Sequence, residues 1–175
     1  MPLKIKEPQV TIGIVNPKSV SNMGAVMRAA GCYRVDSVLY SGTRYDRAVK
    51  HNTDTKGMRR VIPLIGVESL LDAVDDGMSV VCIELVEGAT PLPEFQHPER
   101  AVYIFGPEDG TISQATVDRA DAVVYVPTVG CMNLAGSVNV VLYDRLAKSS
   151  STQASDELIR SSRDTNNRVK VKNSG

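Results

Sequence analysis

Residues 125–148 read "YVPTVGCMNLAGSVNVVLYDRLAK". The apolar run "DAVVYVP" (121–127) leads into this stretch and reads as a strand that stops at Pro127, since proline cannot donate to a sheet ladder. A helix is expected to follow and to end near Lys148. At the joint stand Gly130, Cys131, Asn133, Ala135, Gly136 and Ser137. Small and polar residues are a poor start for a buried helix, unless something else has to fit there. The stretch therefore reads as a strand, a ligand-sized loop and a helix.

Working outward, the same unit recurs. "VTIGIVN" (10–16) reads as a strand and "NMGAVMRAAGCYRV" (22–35) as a helix, with Asn22 in the N-cap position. "DSVLYSG" (36–42) is strand-like. The polar stretch 43–60 reads as loop or short helix, and "RVIPLIG" (60–66) as a short strand limited by Pro63. "VESLLDAVDD" (67–76) has helical spacing, and "MSVVCIELV" (78–86) reads as a buried strand. After a Pro-rich loop (87–100), "AVYIFG" (101–106) is a strand and "SQATVDRA" (113–120) a short helix. Strands alternating with helices imply an α/β fold with a mostly parallel sheet. From Ser149 the chain is rich in Ser, Asn and charge, so 1–148 is expected as the domain and 149–175 as a polar tail, with one short helix near 155–163.

Bulk properties narrow the class. The 175 residues suit one domain, and no apolar run approaches the ~20 residues of a membrane span. "MPLKIKEPQV" lacks an apolar signal core, so the cytoplasm is the expected location. Cys32, Cys82 and Cys131 lack CxxC spacing, which disfavours disulfides and zinc and suggests reduced, mostly buried thiols. His51 and His97 stand in different segments, so metal hydrolase and Ser-His-Asp readings are thin; His97 reads as a loop residue. Net charge is zero, but charge is segregated. Arg44, Arg47, Lys50, Lys56, Arg59 and Arg60 crowd one segment, while Glu68 to Asp121 is strongly acidic. A basic segment of this kind is a solvated face or a local phosphate footprint.

In open α/β sheets, ligands sit beyond the carboxyl ends of strands. Three such ends carry loops rich in Gly, Pro, Asn and Ser: "NPKSVSNMGAVMR", "GPEDGTIS" and "PTVGCMNLAGS". Each opens a helix, and helix N-termini offer unpaired amides. Neither GxxxxGK[ST] nor a GxGxxG after the first strand is present, so the common nucleotide signatures are excluded.

The three loops, in this order, resemble the motifs of the TrmH-like branch of the SPOUT methyltransferases. "NMGAVMRAAG" is similar to the first motif, N-x-G-x-x-x-R. "YIFGPEDGTIS" is similar to the second, an apolar strand followed by G-x-E-x-x-G. "VPTVGCMNLAGSVNVVLYD" is similar to the third, with Asn133 on the family Asn. Thr128, Cys131 and Ala135 stand where the family usually has Met, Ser and Ser. The resemblance covers roughly residues 10–148 and resembles the minimal members acting on tRNA. It implies an α/β fold with a C-terminal trefoil knot, a homodimer with its active site at the subunit interface, and S-adenosylmethionine as cofactor. It implies transfer of methyl to a ribose 2′-OH of tRNA or rRNA. By the same resemblance, the cofactor is held around Gly106, Gly110, Val126, Cys131, Met132 and Leu134, with Glu84 and Leu85 on the other wall. No metal is implied.

The implied chemistry is an in-line displacement, in which positioning supplies much of the rate. The resemblance points to Arg28 as the essential residue. Arginine is almost never deprotonated, so Arg28 is better read as binding the adjacent phosphate or stabilising the developing alkoxide than as a base. Asn22 would orient Arg28 or substrate. Glu108 would accept hydrogen bonds from loop amides or assist substrate, and Asp109 reads as a solvated turn residue. Asn133 would fix loops, cap a helix or touch ribose. Lys18, Arg44, Arg59 and Arg60 are candidate phosphate contacts. Two other functions stay open: a non-catalytic RNA-binding protein with this fold, and methylation of a base rather than a ribose.

Overall fold

The structure, a computed structural model, describes residues 9–51, 62–150 and 152–172. Seven parallel strands form one sheet in the order β3-β2-β1-β6-β4-β7-β5. They are β1 (Gln9–Ile14), β2 (Ser37–Tyr40), β3 (Leu64–Gly66), β4 (Ser79–Ile83), β5 (Thr90–Pro91), β6 (Arg100–Phe105) and β7 (Ala122–Tyr125). The helices are α1 (Val20–Cys32), α2 (Arg44–Lys50), α3 (Gln114–Asp118), α4 (Leu134–Lys148) and α5 (Asp156–Ser162). The expected α/β architecture is therefore present.

Both faces of the central strands are apolar, as a parallel sheet covered on two sides requires. Ile12, Ile14, Val81, Ile83, Ala101, Tyr103 and Phe105 point to one layer, where Met23, Val26 and Ala30 of α1 and Val138, Val141 and Leu142 of α4 cover them. Cys82, Val102 and Ile104 point the other way, onto Leu70 and Ile112. Burial pushes the Cys82 thiol up to about 11, which keeps it inert. Cys32 and Cys131 are exposed, so the expectation of mostly buried thiols holds for Cys82 alone.

Two local readings are corrected. Asn22 does not cap α1; Ser19 does, its hydroxyl accepting from the Asn22 N–H at 3.2 Å. Residues 67–76 form turns rather than a regular helix. Ser69 accepts from the amides of Asp72 and Ala73, closing one turn, and Gly77, at φ 79°, bends the chain into β4. The helical spacing reflects how Leu70, Leu71 and Val74 meet the sheet, which a single turn satisfies.

His97 lies in the loop before β6, as the sequence suggests. Its side chain is only 5% exposed and lies within a chain of hydrogen bonds. Nδ1 lies 2.7 Å from the Tyr103 hydroxyl and Nε2 lies 2.7 Å from Asp144 Oδ2. A carboxylate only accepts, so Nε2 carries the proton and Nδ1 accepts from Tyr103. The Tyr103 oxygen in turn accepts from Arg145, at 3.0 Å, and Lys148 pairs with Asp144 at 2.8 Å. Arg145 also donates to Pro98 and Glu99 carbonyls, and Lys148 to those of Leu92 and Phe95. The second half of α4 is thereby fastened to the loop before β6. Burial holds the imidazole below its ordinary pKa against the opposing pull of Asp144, so at neutral pH the pair is a hydrogen bond, not an ion pair.

Short helix α5 appears where a tail helix is expected, and none of its residues is buried. Among the described residues, no helix is long and apolar enough to cross a membrane.

Candidate active site

The carboxyl ends of β4, β6 and β7 lie side by side, and the loops leaving them enclose a cavity of about 290 Å³. Ile83, Glu84 and Leu85 line it from β4, and Phe105, Gly106, Pro107, Glu108 and Gly110 from β6. Tyr125, Val126, Thr128, Cys131, Met132, Asn133, Leu134 and Ser137 line it from the β7–α4 joint, and Asn22 reaches it from α1. Every residue expected around the cofactor is therefore in one wall or another. So are Asn22, Glu108 and Asn133.

Glu108 is the knot of hydrogen bonds between two loops. Its carboxylate accepts from the amides of Lys18 (3.1 Å) and Ser19 (3.2 Å) and from the Asn22 side chain (3.2 Å). Burial alone would raise its pKa. The bonds from its own amide, Lys18, Asn22 and Ser19 outweigh that and hold it below the usual carboxylate range. Glu108 thus fixes the entry of α1 against the loop after β6.

Asn133 caps α4, its Oδ1 accepting from the Gly136 N–H at 2.6 Å. A Cβ at Gly136 would lie 2.9 Å from that oxygen, so the glycine makes room for the cap. Gly130, at φ 95°, turns the loop, and the Thr128 hydroxyl donates to its carbonyl at 3.0 Å. The small residues of the joint thus shape a turn and a cap, and leave the cavity open beside them.

The basic candidates divide. Arg59 and Arg60 lie outside the described residues. Lys18 and Arg44 converge on Asp109, at 3.3 and 2.9 Å. Asp109 is therefore a paired residue rather than a merely solvated one: Arg44, then Lys18, hold its carboxyl below the ordinary range. Arg44 also donates to the Asn16 carbonyl, fixing α2 to the end of β1.

Arg28 stands apart. It is exposed and does not line the cavity. Six residues of helix separate it from Asn22, about 240° around the axis and ~9 Å along it. It shares its outward face with Ser21, Ala25 and Cys32, all exposed. Tyr143 of the adjacent α4 is also exposed, and it lies near enough to Tyr33 to influence its titration. Among the described residues no cluster of His, Cys, Asp and Glu could hold a metal.

Solved structures share this architecture. An AdoMet-bound rRNA methyltransferase from Sinorhizobium meliloti aligns with a TM-score of 0.67 at 18% identity, over 81% of this chain and 57% of that one. The A. aeolicus TrmH/SpoU tRNA modifying enzyme aligns at 0.67 and 20%, over 79% and 76%. A protein described in work on "2-OH methylation of C/U34 on tRNA" aligns at 0.66 and 19%, over 83% of this chain and 93% of that one. The chain spans less than two thirds of the length of the first of these, and no curated protein sequence matches it. The sequence profile of the SpoU rRNA Methylase family matches residues 9–143. With that match over most of its length, and with a fold shared with TrmH/SpoU structures, the chain belongs to the SpoU rRNA Methylase family of the SPOUT superfamily.

Proposed function

We propose that this protein is a cytoplasmic, S-adenosylmethionine-dependent methyltransferase acting on a ribose 2′-OH of RNA, with tRNA as the preferred substrate class. The observation that carries this reading is the single cavity into which the loops after β4, β6 and β7 bring all eight expected cofactor residues together with Asn22, Glu108 and Asn133. Two neighbouring structures are described with AdoMet bound. The tRNA preference is supported by the likeness to the protein described in work on 2-OH methylation of C/U34 on tRNA, 93% of which aligns with this chain.

The cavity suits such a ligand. Ile83, Leu85, Phe105, Val126 and Leu134 offer apolar walls for a purine, and the loop backbones offer amides and carbonyls. When bound, S-adenosylmethionine supplies an electrophilic methyl group on a sulfonium. The protein's part is to hold the acceptor oxygen in line with it. Glu108 and Asn22 fix the mouth of the cavity, and Asn133 fixes the loop opposite. Arg28 is exposed and does not line its own cavity. We therefore place it at the cavity of a second copy, where its guanidinium binds the phosphate beside the acceptor ribose or stabilises the developing alkoxide. The exposed faces of α1 and α4 around Ala25, Arg28 and Tyr143 form that contact. Lys18, Arg44, Arg59 and Arg60 contact RNA phosphates. Residues 1–148 are the methyltransferase domain, threaded as a trefoil knot, and 149–175 a polar tail.

Calorimetry with S-adenosylmethionine tests cofactor binding: no heat at millimolar ligand overturns the enzyme reading. Methylating bulk RNA from a strain lacking the protein, then digesting it to nucleosides for mass spectrometry, locates the methyl. A methylated base in place of a 2′-O-methylribose overturns the ribose assignment.

A further inference from the structure

Glu84 is the first residue beyond β4, the strand between β6 and β7, and it faces the cavity. Its own N–H donates to the Val124 carbonyl at 3.0 Å, which continues the sheet pairing by one residue. Its side chain then turns back over the loops. Oε1 accepts from the Leu85 N–H at 3.0 Å, and Oε2 accepts from the Ile112 N–H at 3.1 Å.

Gly106 lies directly beneath this carboxylate. A Cβ there would stand 3.1 Å from Glu84 Oε2 and 3.3 Å from the Ile112 nitrogen. The missing side chain at 106 is what lets the carboxylate lie across the loop while bonded to Ile112.

A carboxylate has roughly four lone-pair sites. Glu84 uses two, one on each oxygen, so each oxygen keeps one acceptor position. Glu108, the other carboxylate on the cavity, is saturated by its own amide and by Lys18, Ser19 and Asn22. Asn133 Oδ1 is taken by Gly136. The cavity therefore has one anionic group with spare acceptor capacity on two adjacent oxygens. Two adjacent acceptors match two adjacent O–H donors. In dinucleotide-binding α/β folds an acidic residue accepts a hydrogen bond from a ribose 2′-hydroxyl, a chemical precedent for such a contact.

We infer that Glu84 receives the 2′- and 3′-hydroxyls of the cofactor's own ribose, so that one carboxylate ties together Leu85, Ile112 and the nucleoside. This rests on the reading of the cavity as an S-adenosylmethionine site. It makes Glu84 a specificity residue: it selects a ribonucleoside ligand over a deoxyribonucleoside one.

The test is calorimetric titration of the full chain with S-adenosylhomocysteine and with its 2′-deoxy and 3′-deoxy counterparts. The wild-type protein should lose about tenfold in affinity for each hydroxyl removed, the scale of a hydrogen bond to a charged group. Glu84→Gln should bind the ribose ligand more weakly and discriminate ribose from deoxyribose much less. A carboxylate that only ties loops would lower affinity for all three ligands by the same factor, and that outcome overturns the inference. Equal affinity of the wild-type protein for ribose and deoxyribose ligands overturns it without any variant, should Glu84→Gln fail to fold. If the wild-type protein binds neither S-adenosylmethionine nor any of the three, the cofactor reading falls and this inference with it.

Discussion

The Asn22 side chain donates to the Glu108 carboxylate across 3.2 Å, joining residues 86 apart in the chain. Glu108→Ala leaves this amide and two backbone N–H groups without their acceptor. It should cost about 1–3 kcal/mol, read from urea midpoints. Asn22→Ala should cost less, and the double variant less than the sum, since both act on one network. Because the Glu108 pKa is lowered on folding, its contribution is complete above the unfolded value, about 4.3, and disappears as pH falls through the folded one. Glu108→Gln should flatten the stability profile in that acid window.

His97 gives a second pH signature, in a different range. Its imidazole is held neutral by burial, so the unfolded chain binds its proton first. Stability should be full above about pH 6.5 and fall as pH drops below it toward the folded value. Denaturant midpoints measured from pH 7.5 to 5.5 should decline for the wild-type protein. His97→Gln should be less stable at pH 7.5 but should show a shallower decline; an unchanged slope would assign the effect elsewhere.

Arg28→Ala should leave the fold and S-adenosylmethionine affinity unchanged and abolish methyl transfer, because the side chain is exposed and off the cavity. Mixing it with a variant defective in cofactor binding should restore part of the activity, since one shared interface would then hold one intact Arg28 and one intact cavity. No recovery, with subunit exchange verified, would place Arg28 in its own copy's site.

Asp109→Asn should release Lys18 and Arg44 from their ion pairs. These pairs are partly exposed, so the gain is small: up to about fivefold tighter RNA binding, with a steeper dependence on salt. Weaker RNA binding would mean that Asp109 positions the two cations for RNA rather than competing with it.

Gly130→Ala isolates backbone strain. A Cβ there meets nothing within 4 Å, yet φ is 95°. The substitution should cost about 1–2 kcal/mol in thermal unfolding without any clash. It should also weaken cofactor binding, because the loop it reshapes is a cavity wall.

The three loops were legible because their composition is local: glycine, proline, asparagine and serine after apolar runs mark strand ends wherever the strands go. What those residues do was less legible. Asn22 looks like a cap because Ser19, three residues earlier, is hidden in "NPKSVSN"; the signal available was the serine at the right spacing. Gly136 looked like room for a ligand, and it is first of all room for the Asn133 side chain. His97 could be placed in a loop but its bonding could not be read, since its partners at 103 and 144 meet it only through the tertiary fold. Glu84 emerged from the family resemblance, but its grip on Ile112 depends on β4 lying next to β6, an order that no local pattern carries.

That strand order also governs how the molecule comes into being. Gln9 and Arg100 are register partners at the centre of the sheet, yet they are 91 residues apart. At ~5–20 residues per second of synthesis, β1 emerges several seconds before β6 exists to pair with it. Until then only the edge of β1 that meets β2 can be paired, and the N–H and C=O groups of its other edge have no strand to bond. Loops of such length slow folding, and an unpaired strand edge invites pairing between chains. The architecture that gathers the β4, β6 and β7 ends into one cavity therefore leaves the nascent chain exposed to misassembly until its second half is made.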